Sequence, residues 1–575
     1  MRRDRQRHDW SSSLLEDRRA SGGLRPLTPS KAARIYTRSM MIVALMGLFH
    51  SIYYVLSLEF GVLSDAWVIA REWPRLLIRS LAGAALAVSV ALRLKVSIDR
   101  KQLARFWRGF SSAATLLLLV TIIAVLLGEA LCHPLLRLFN SGKDDAVIEM
   151  AAPSARILLV QTVFLFPAAI AAGTLTGTRI FHRVMIPVSS IFVVAQVCFV
   201  VLTKNTPVQL TGVSLVLLFC AALLSMILLF LAKRVLHWRI MIDTRDPMYR
   251  QFMRLAVPVM VAAALFQLNV LFDIAFVGKS IGAVTVLDQS ISVGRFLLMA
   301  FVFPVAGVMM PVLTQLFDEK RYSRARTLLT RAMRRSLYII TPYSIILAVM
   351  PEDTAVVLFQ WNGALSEAAL SVEAALMRLY ALPLLLATIL IVYCHAFLAR
   401  RMTRMLLLAG VIAAVAHPLL SQLFIQRLEF GIRGIPIALS GTLFLLVIVM
   451  VVLYRIYLRE ARFRKLLPFV IRLAISALAA CVVLIAINTL PIWSEHKAWQ
   501  ILIYLGKCLV TLLTYYVTGI VLRFRETLDT QSAWRERLKL GPVRGGDLPF
   551  PGQKHPMTQS IQSRRRPFWR RSRRR

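Results

Sequence analysis

Apolar residues in this chain gather into long runs rather than alternating with polar ones. Segments such as 40–58 and 213–231 contain no Asp, Glu, Lys or Arg. A helix rises about 1.5 Å per residue, so a run of about 20 residues crosses the ~30 Å hydrocarbon core of a bilayer. Read this way, the pattern predicts spans near 39–58, 65–92, 110–132, 157–175, 184–203, 211–232, 253–277, 288–316, 336–358, 374–398, 405–425, 435–454, 467–490 and 499–522. That is an all-α polytopic membrane protein of about fourteen helices.

Charge gives these spans an orientation. With the N-terminus inside, the connections before the third, fifth, seventh, ninth, eleventh and thirteenth spans are cytoplasmic and should be rich in Lys and Arg, which resist translocation. Together with the two tails, and counting Arg254 at a span edge, these connections hold 54 of the 69 basic residues. The opposite connections collect acids instead, such as Asp144, Asp145, Glu149 and Glu367. The reading is a multi-pass protein of the bacterial cytoplasmic (inner) membrane with both termini cytoplasmic.

Composition agrees: 58% of the residues are hydrophobic and 17% charged, far from the balance of a soluble domain. The net charge of +40 needs no nucleic acid, because most of it faces anionic phospholipid headgroups. The basic start MRRDRQRHDWSSS is followed by no apolar run until residue 40, so a retained tail is expected rather than a signal peptide. The end RRRPFWRRSRRR interleaves Phe568 and Trp569 with arginines, as a membrane-surface anchor does. All six cysteines fall in or beside apolar runs without CxxC spacing, which suits packing rather than metal or disulfides.

The longest connection between spans, 233–252, divides the first twelve helices into two sets of six. The expected organisation is a disordered basic tail (1–38), an N-lobe of helices 1–6 (39–232), this linker, a C-lobe of helices 7–12 (253–456), two further helices (457–522) and a second disordered basic tail (523–575). Small-then-basic turns end the fourth helix of each lobe, GTLTGTRIFHR and CHAFLARRMTR, consistent with a parallel repeat.

No cofactor or metal is called for: there is no GxxxxGK[ST], HExxH or GxSxG sequence and no His/Cys/Asp/Glu cluster of ligand spacing. The nine histidines are scattered, so an enzyme is not expected. Ionisable residues inside spans are costly in lipid and tend to face a bundle interior. In SDAWVIAREWPRLLIRSLAGAAL, Asp65 is followed by Arg71, Glu72, Arg75 and Arg79, with the arginines four apart and therefore on one helix face. Pro74 lies among them and should bend the helix toward a cavity. Guanidinium forks suit a diphosphate or another oxyanion; an internal salt-bridge network with Glu72, or snorkelling to headgroups near the span ends, is the structural alternative. Asp288 and Arg295, seven apart, can share one face. Asp273 is a lone carboxylate, suited either to coupling a proton or sodium ion or to pairing with Asn269. Arg156, Arg378 and Arg472 sit near span ends, where they snorkel, and Lys507 lies within the last span.

The segments FGVLSDAWVIAREWPRLLIRSLAGAAL (60–86), GTLTGTRIFHRVMIP (173–187), LAVPVMVAAALFQLNVLFDIAFVG (255–278), FPVAGVMMPVLTQLF (303–317), VVLFQWNGALSEAALSVEAALMRLYALPL (356–384) and GIRGIPIAL (431–439) together resemble the MurJ (MviN-type) lipid II flippases. These belong to a superfamily that includes multidrug extruders and polysaccharide flippases. The likeness covers about residues 40–520. His50 stands in the first helix where the family usually carries arginines, Ile78 replaces one of the paired arginines after Pro74, Asp288 and Arg295 are approximate counterparts of its Asp–Arg pair, and RRMTRM replaces its Asp-Thr-x-x-Pro turn.

The resemblance implies alternating-access flipping of an undecaprenyl-diphosphate-linked peptidoglycan precursor, with Arg71, Arg79 and Arg295 on the diphosphate. Asp65, Glu72, Asp273, Asp288 and His50 are then cavity or coupling candidates. Another lipid-linked oligosaccharide is the alternative cargo, and a drug antiporter is disfavoured by the arginine stripe. A scaffold recruiting cell-wall synthesis proteins through its tails is a reading of a different class.

Overall fold

The structure is a computed structural model describing residues 29–527 apart from 59, 82, 100–101, 141, 178–181, 206–209, 278–279, 362–364, 459–462, 491–495 and 525. The outer parts of both expected tails, 1–28 and 528–575, lie outside the described residues. The described chain is helical without strands. Among the described residues thirteen helices are long and apolar enough to cross a membrane, and a fourteenth crossing results if one bent pair forms a single span.

In chain order the first six crossings are α1 (Pro29–Leu58), α2 (Val62–Leu81) with α3 (Ala84–Asp99), α4 (Leu103–Ala130), α6 (Asp145–Gly177), α7 (His182–Asn205) and α8 (Leu210–Ala232). A short helix, α5 (Cys132–Phe139), lies between α4 and α6. The next six are α9 (Pro247–Phe276), α10 (Ala283–Leu297) continued by α11 (Phe303–Asp318), α12 (Tyr322–Val349) with α13 (Pro351–Phe359), α14 (Glu367–Ala399), α15 (Thr403–Gln422) and α16 (Gly434–Leu458). The last two are α17 (Phe463–Asn488) and α18 (Lys497–Val521). One compact unit ends at Thr518.

Several boundaries differ from the expected ones for local reasons. The first helix begins at Pro29, so residues 29–38 are helical rather than part of an unordered tail, and Arg34 and Arg38 stay exposed on it. Proline is well tolerated at a helix start. In the second span Pro74 lies inside α2 without ending it; the interruption falls after Leu81, where Gly83 takes φ +77°, a left-handed conformation that glycine adopts freely. α9 begins at Pro247 because Asp246 caps it, accepting from the Met248 backbone N–H at 2.7 Å. The ninth span is two helices bent by 91°, and Leu298–Val302 forms a π-helical turn between α10 and α11.

The linker before α9 is not free. Its backbone runs along α4: Arg239 N–H donates to Ser111 Oγ and Asp243 N–H to Ser112 Oγ, both at 3.1 Å, and Trp238 Nε1 reaches Thr115 Oγ1 at 3.3 Å. Small residues let other helices close up, since lipid offers no hydrophobic drive between them. At Gly173 on α6 an added Cβ would lie 2.5 Å from the Ala87 Cα of α3. α9 packs against α2, α3 and α4 as well as α15, which joins the two sets of six at the centre. Outward faces of α17 and α18 expose Leu467, Ile471, Leu478, Leu502, Leu505 and Leu509, as lipid-facing helices do.

Candidate functional site

The arginine stripe of α2 points at α9 and α10. Arg71, 5% exposed, is ion-paired with Asp288 of α10, its Nε lies 3.7 Å from Glu72, and its guanidinium sits 5.3 Å from the centre of the Tyr54 ring on α1. Tyr54 Oη also donates to Asp288, at 3.5 Å. Arg75 is paired with Glu72, Arg79 donates to Gln267 Oε1 of α9 at 2.5 Å, and Gln267 Nε2 donates to Glu72 Oε2 at 2.9 Å. Arg295, two turns beyond Asp288, completes the group at 3.5 Å from it. The expected common face of Asp288 and Arg295 is therefore present, and the second and eighth spans meet through it.

Four guanidinium groups here face two carboxylates, Glu72 and Asp288, leaving an excess of two positive charges. Burial grades along the stripe. Arg71, Glu72 and Asp288 are buried, the side chains of Arg75 and Arg295 are 27% and 31% exposed, and Arg79 is exposed. The cluster thus has a buried side and an exposed side, the latter toward the helix ends that carry the basic connections. Both readings of the stripe have a physical basis: a salt-bridge network exists, and it retains unneutralised cations for an anion.

Asp65 lies apart from the arginines, at the opposite end of α2. Its carboxylate accepts from Gly282 N–H (3.0 Å), Thr285 N–H (2.9 Å) and Thr285 Oγ1 (2.7 Å), and lies 3.2 Å from Lys143 Nζ. Lys143 also donates to the Ser280 carbonyl at 2.7 Å. These contacts tie the first six spans to the start of α10 and close that end. At the basic end Arg401 donates to the Leu92 carbonyl at 3.1 Å and pairs with Asp318 at 3.0 Å, again joining the two sets of helices.

Other candidates fall into separate places. His50 Nδ1 lies 3.2 Å from Gln196 Oε1, with its ring among Tyr54, Trp67 and Phe199. Asp273 does not pair with Asn269. His417 Nε2 of α15 is 2.8 Å from it, and His417 Nδ1 is 3.4 Å from Thr442 Oγ1 of α16. Arg156, Arg378 and Arg472 are exposed, Arg378 pairing with Glu352. Lys507 is buried and bonded to Asp353 of α13 (2.6 Å) and Asn488 of α17 (2.9 Å), so it holds the last two helices in place. Among the described residues no group of three or more His, Cys, Asp or Glu could hold a metal ion. Gln267, Lys143 and Tyr54 were not singled out from sequence. An uncharged amide in an apolar run, or a lysine in a connection, gains meaning only from its partner.

The sequence profile described as Lipid II flippase MurJ matches residues 57–508. The chain belongs to the MurJ lipid II flippase family. A solved MurJ in an inward closed conformation superposes with a TM-score of 0.64 at 16% identity, covering 88% of this chain and 99% of that one. A transporter of the wider superfamily from Pyrococcus furiosus gives 0.58 at 16% identity over 76% and 98% of the two chains. An inward-facing multidrug transporter of the MATE family gives 0.54 at 12% identity over 78% and 98%. No curated relative matches. The fold is that of this transporter superfamily, and the protein is a multi-pass membrane transporter.

Proposed function

We propose that this protein flips an undecaprenyl-diphosphate-linked peptidoglycan precursor, lipid II, across the cytoplasmic membrane by alternating access, with both termini in the cytoplasm. The observation that carries the reading is the cluster of Arg71, Arg75, Arg79 and Arg295, graded from buried to exposed, which among the described residues faces the two carboxylates of Glu72 and Asp288. Its excess of two positive charges matches the roughly two negative charges of a diphosphate diester, and guanidinium binds phosphate oxygens in pairs. Arg79 and Arg295, the less buried members, meet the headgroup first. Arg71 joins once the diphosphate competes with Asp288 for it.

Family membership supports the cargo, and the basic connections support the orientation. The membrane potential or an ion gradient supplies the energy, with Asp273 and His417 as a buried pair able to follow an ion. Anionic phospholipids hold the basic tails. The absence of arginine from residues 45–61 favours a second cargo, another lipid-linked oligosaccharide, because that helix borders the cluster through Tyr54.

Depletion of the protein followed by analysis of lipid-linked precursors separates the two. Lipid II accumulating in the cytoplasmic leaflet is the expected result; normal lipid II with a different stalled precursor refutes it.

A further inference from the structure

The interface of α10 and α14 contains polar groups that the arginine cluster does not use. Glu373 on α14 is 0% exposed, and among the described residues neither carboxyl oxygen has a hydrogen-bond partner. Gln289 on α10, also 0% exposed, has neither its amide nitrogen nor its oxygen bonded among the described residues. Tyr380, two turns along α14 from Glu373, is 5% exposed with an unbonded hydroxyl. The helices touch at this level, since Ser290 Oγ donates to the Glu373 backbone carbonyl at 3.4 Å. Tyr380 shares an apolar cluster with Tyr54, Val286, Leu287 and Leu376.

The charged groups on the surrounding elements are engaged elsewhere or exposed. On α10, Asp288 is held by Arg71 and Arg295. On α13, Glu352 pairs with Arg378 and Asp353 with Lys507. On α1 the nearby Tyr54 donates to Asp288, and on α12 Tyr343 stacks on Phe301. Arg433, in the turn before α16, is exposed. An ionised Glu373 would be a buried charge with neither counter-ion nor donor among the described residues, an arrangement that proteins avoid by neutralising the group.

We propose that Glu373 is a proton-binding site of the transport cycle: it holds a proton while the Asp65 end is closed and releases it to water when α10 and α14 are exposed at that end. Its ligand is a proton taken from bulk water, and no other bond changes. The inference concerns the energy source and does not depend on which lipid-linked cargo is carried. The closed state then binds one more proton than the open state, so acid favours closure. Within the titration range the closed-to-open ratio changes by on the order of tenfold per pH unit.

The test uses the full chain in lipid nanodiscs. Infrared spectroscopy of the wild type at neutral pH should show the carbonyl stretch of a neutral carboxylic acid, lost in Glu373→Gln. Spin labels at positions 144 and 281, on the two sides of the Asp65 seal and both exposed, should report closure on acidification in the wild type and no pH response in Glu373→Gln. Absence of the neutral-acid band, its persistence in Glu373→Gln, or an unchanged pH response in that variant would each overturn the proposal. Should that variant fail to fold, Glu373→Asp takes its place: with ¹³C-glutamate labelling the neutral-acid band must shift with the label in the wild type and not in Glu373→Asp, and a band that shifts in both overturns the proposal.

Discussion

Removing Arg71 or Asp288 separates the structural from the functional role of the cluster. Deleting one member of a buried ion pair typically costs about 3–5 kcal/mol, mostly from the charge left behind. Here the loss is smaller for Arg71→Ala, about 2–3 kcal/mol, because Arg295 remains 3.5 Å from Asp288. Asp288→Ala strands Arg71 beside Glu72 at 3.7 Å and leaves Arg295 without its partner, again about 3 kcal/mol. If the two positions acted independently, the double variant would lose about 5–6 kcal/mol; because they neutralise each other, it should lose only about 3. That difference is on the order of 100-fold in the unfolding equilibrium. Unfolding of the four proteins in mixed micelles, titrated with a denaturing detergent, measures it. Additive losses would refute the pairing. The double variant should nevertheless support growth of depleted cells poorly, because Arg71's share of the diphosphate contacts is gone although Arg79 and Arg295 remain; a stable double variant that transports normally would refute the role of Arg71 in holding cargo.

Asp65→Ala removes four contacts from the closed end, several of them charge-assisted bonds worth about 1.5–3 kcal/mol each before water replaces them; the spin-label pair at 144 and 281 should shift to longer distances, and an unchanged distribution counts against a seal there. Arg401→Ala should raise labelling of a cysteine placed at Leu92 by water-soluble maleimide, since it loses both bridges at the basic end. Lys507→Ala leaves Asp353 and Asn488 without their shared donor and should make the connection before α18 more sensitive to protease, while Lys507→Met with Asp353→Leu should restore resistance. Gly173→Ala places a methyl 2.5 Å from the Ala87 Cα, so thermal unfolding should begin lower by several degrees; no shift would mean that α3 and α6 are not so close.

The long apolar runs made the crossings legible, because a span must satisfy its own backbone hydrogen bonds and present apolar side chains almost all round. Interruptions inside crossings were less legible. Pro74 looked like the weak point of the second span, yet a proline accommodated within α2 left the break to Gly83, whose backbone conformation no spacing rule reveals. The arginine face of α2 was readable from a spacing of four, as was the shared face of Asp288 and Arg295. Their mutual pairing was not, because residues 71 and 288 meet only through tertiary packing. For the same reason the one partner the sequence offers Asp273, as an alternative to ion coupling, is Asn269 on its own helix, whereas its partner is His417. The unbonded Gln289 and Tyr380 carry no sequence signal at all, since an isolated amide or phenol in an apolar run is ordinary until its surroundings are known.

Asp65 also does something for α10 that α10 does not do for itself. The residue before that helix is Gly282, at φ +79° and with no side chain to accept from the first turn; Asp65 supplies the acceptor from another helix. Parting the two helices therefore leaves the first turn of α10 with unsatisfied amides and an uncompensated dipole. Fraying of that turn accompanies the separation, and amide hydrogen exchange at residues 284–287 becomes a direct clock of how often this end of the transporter opens.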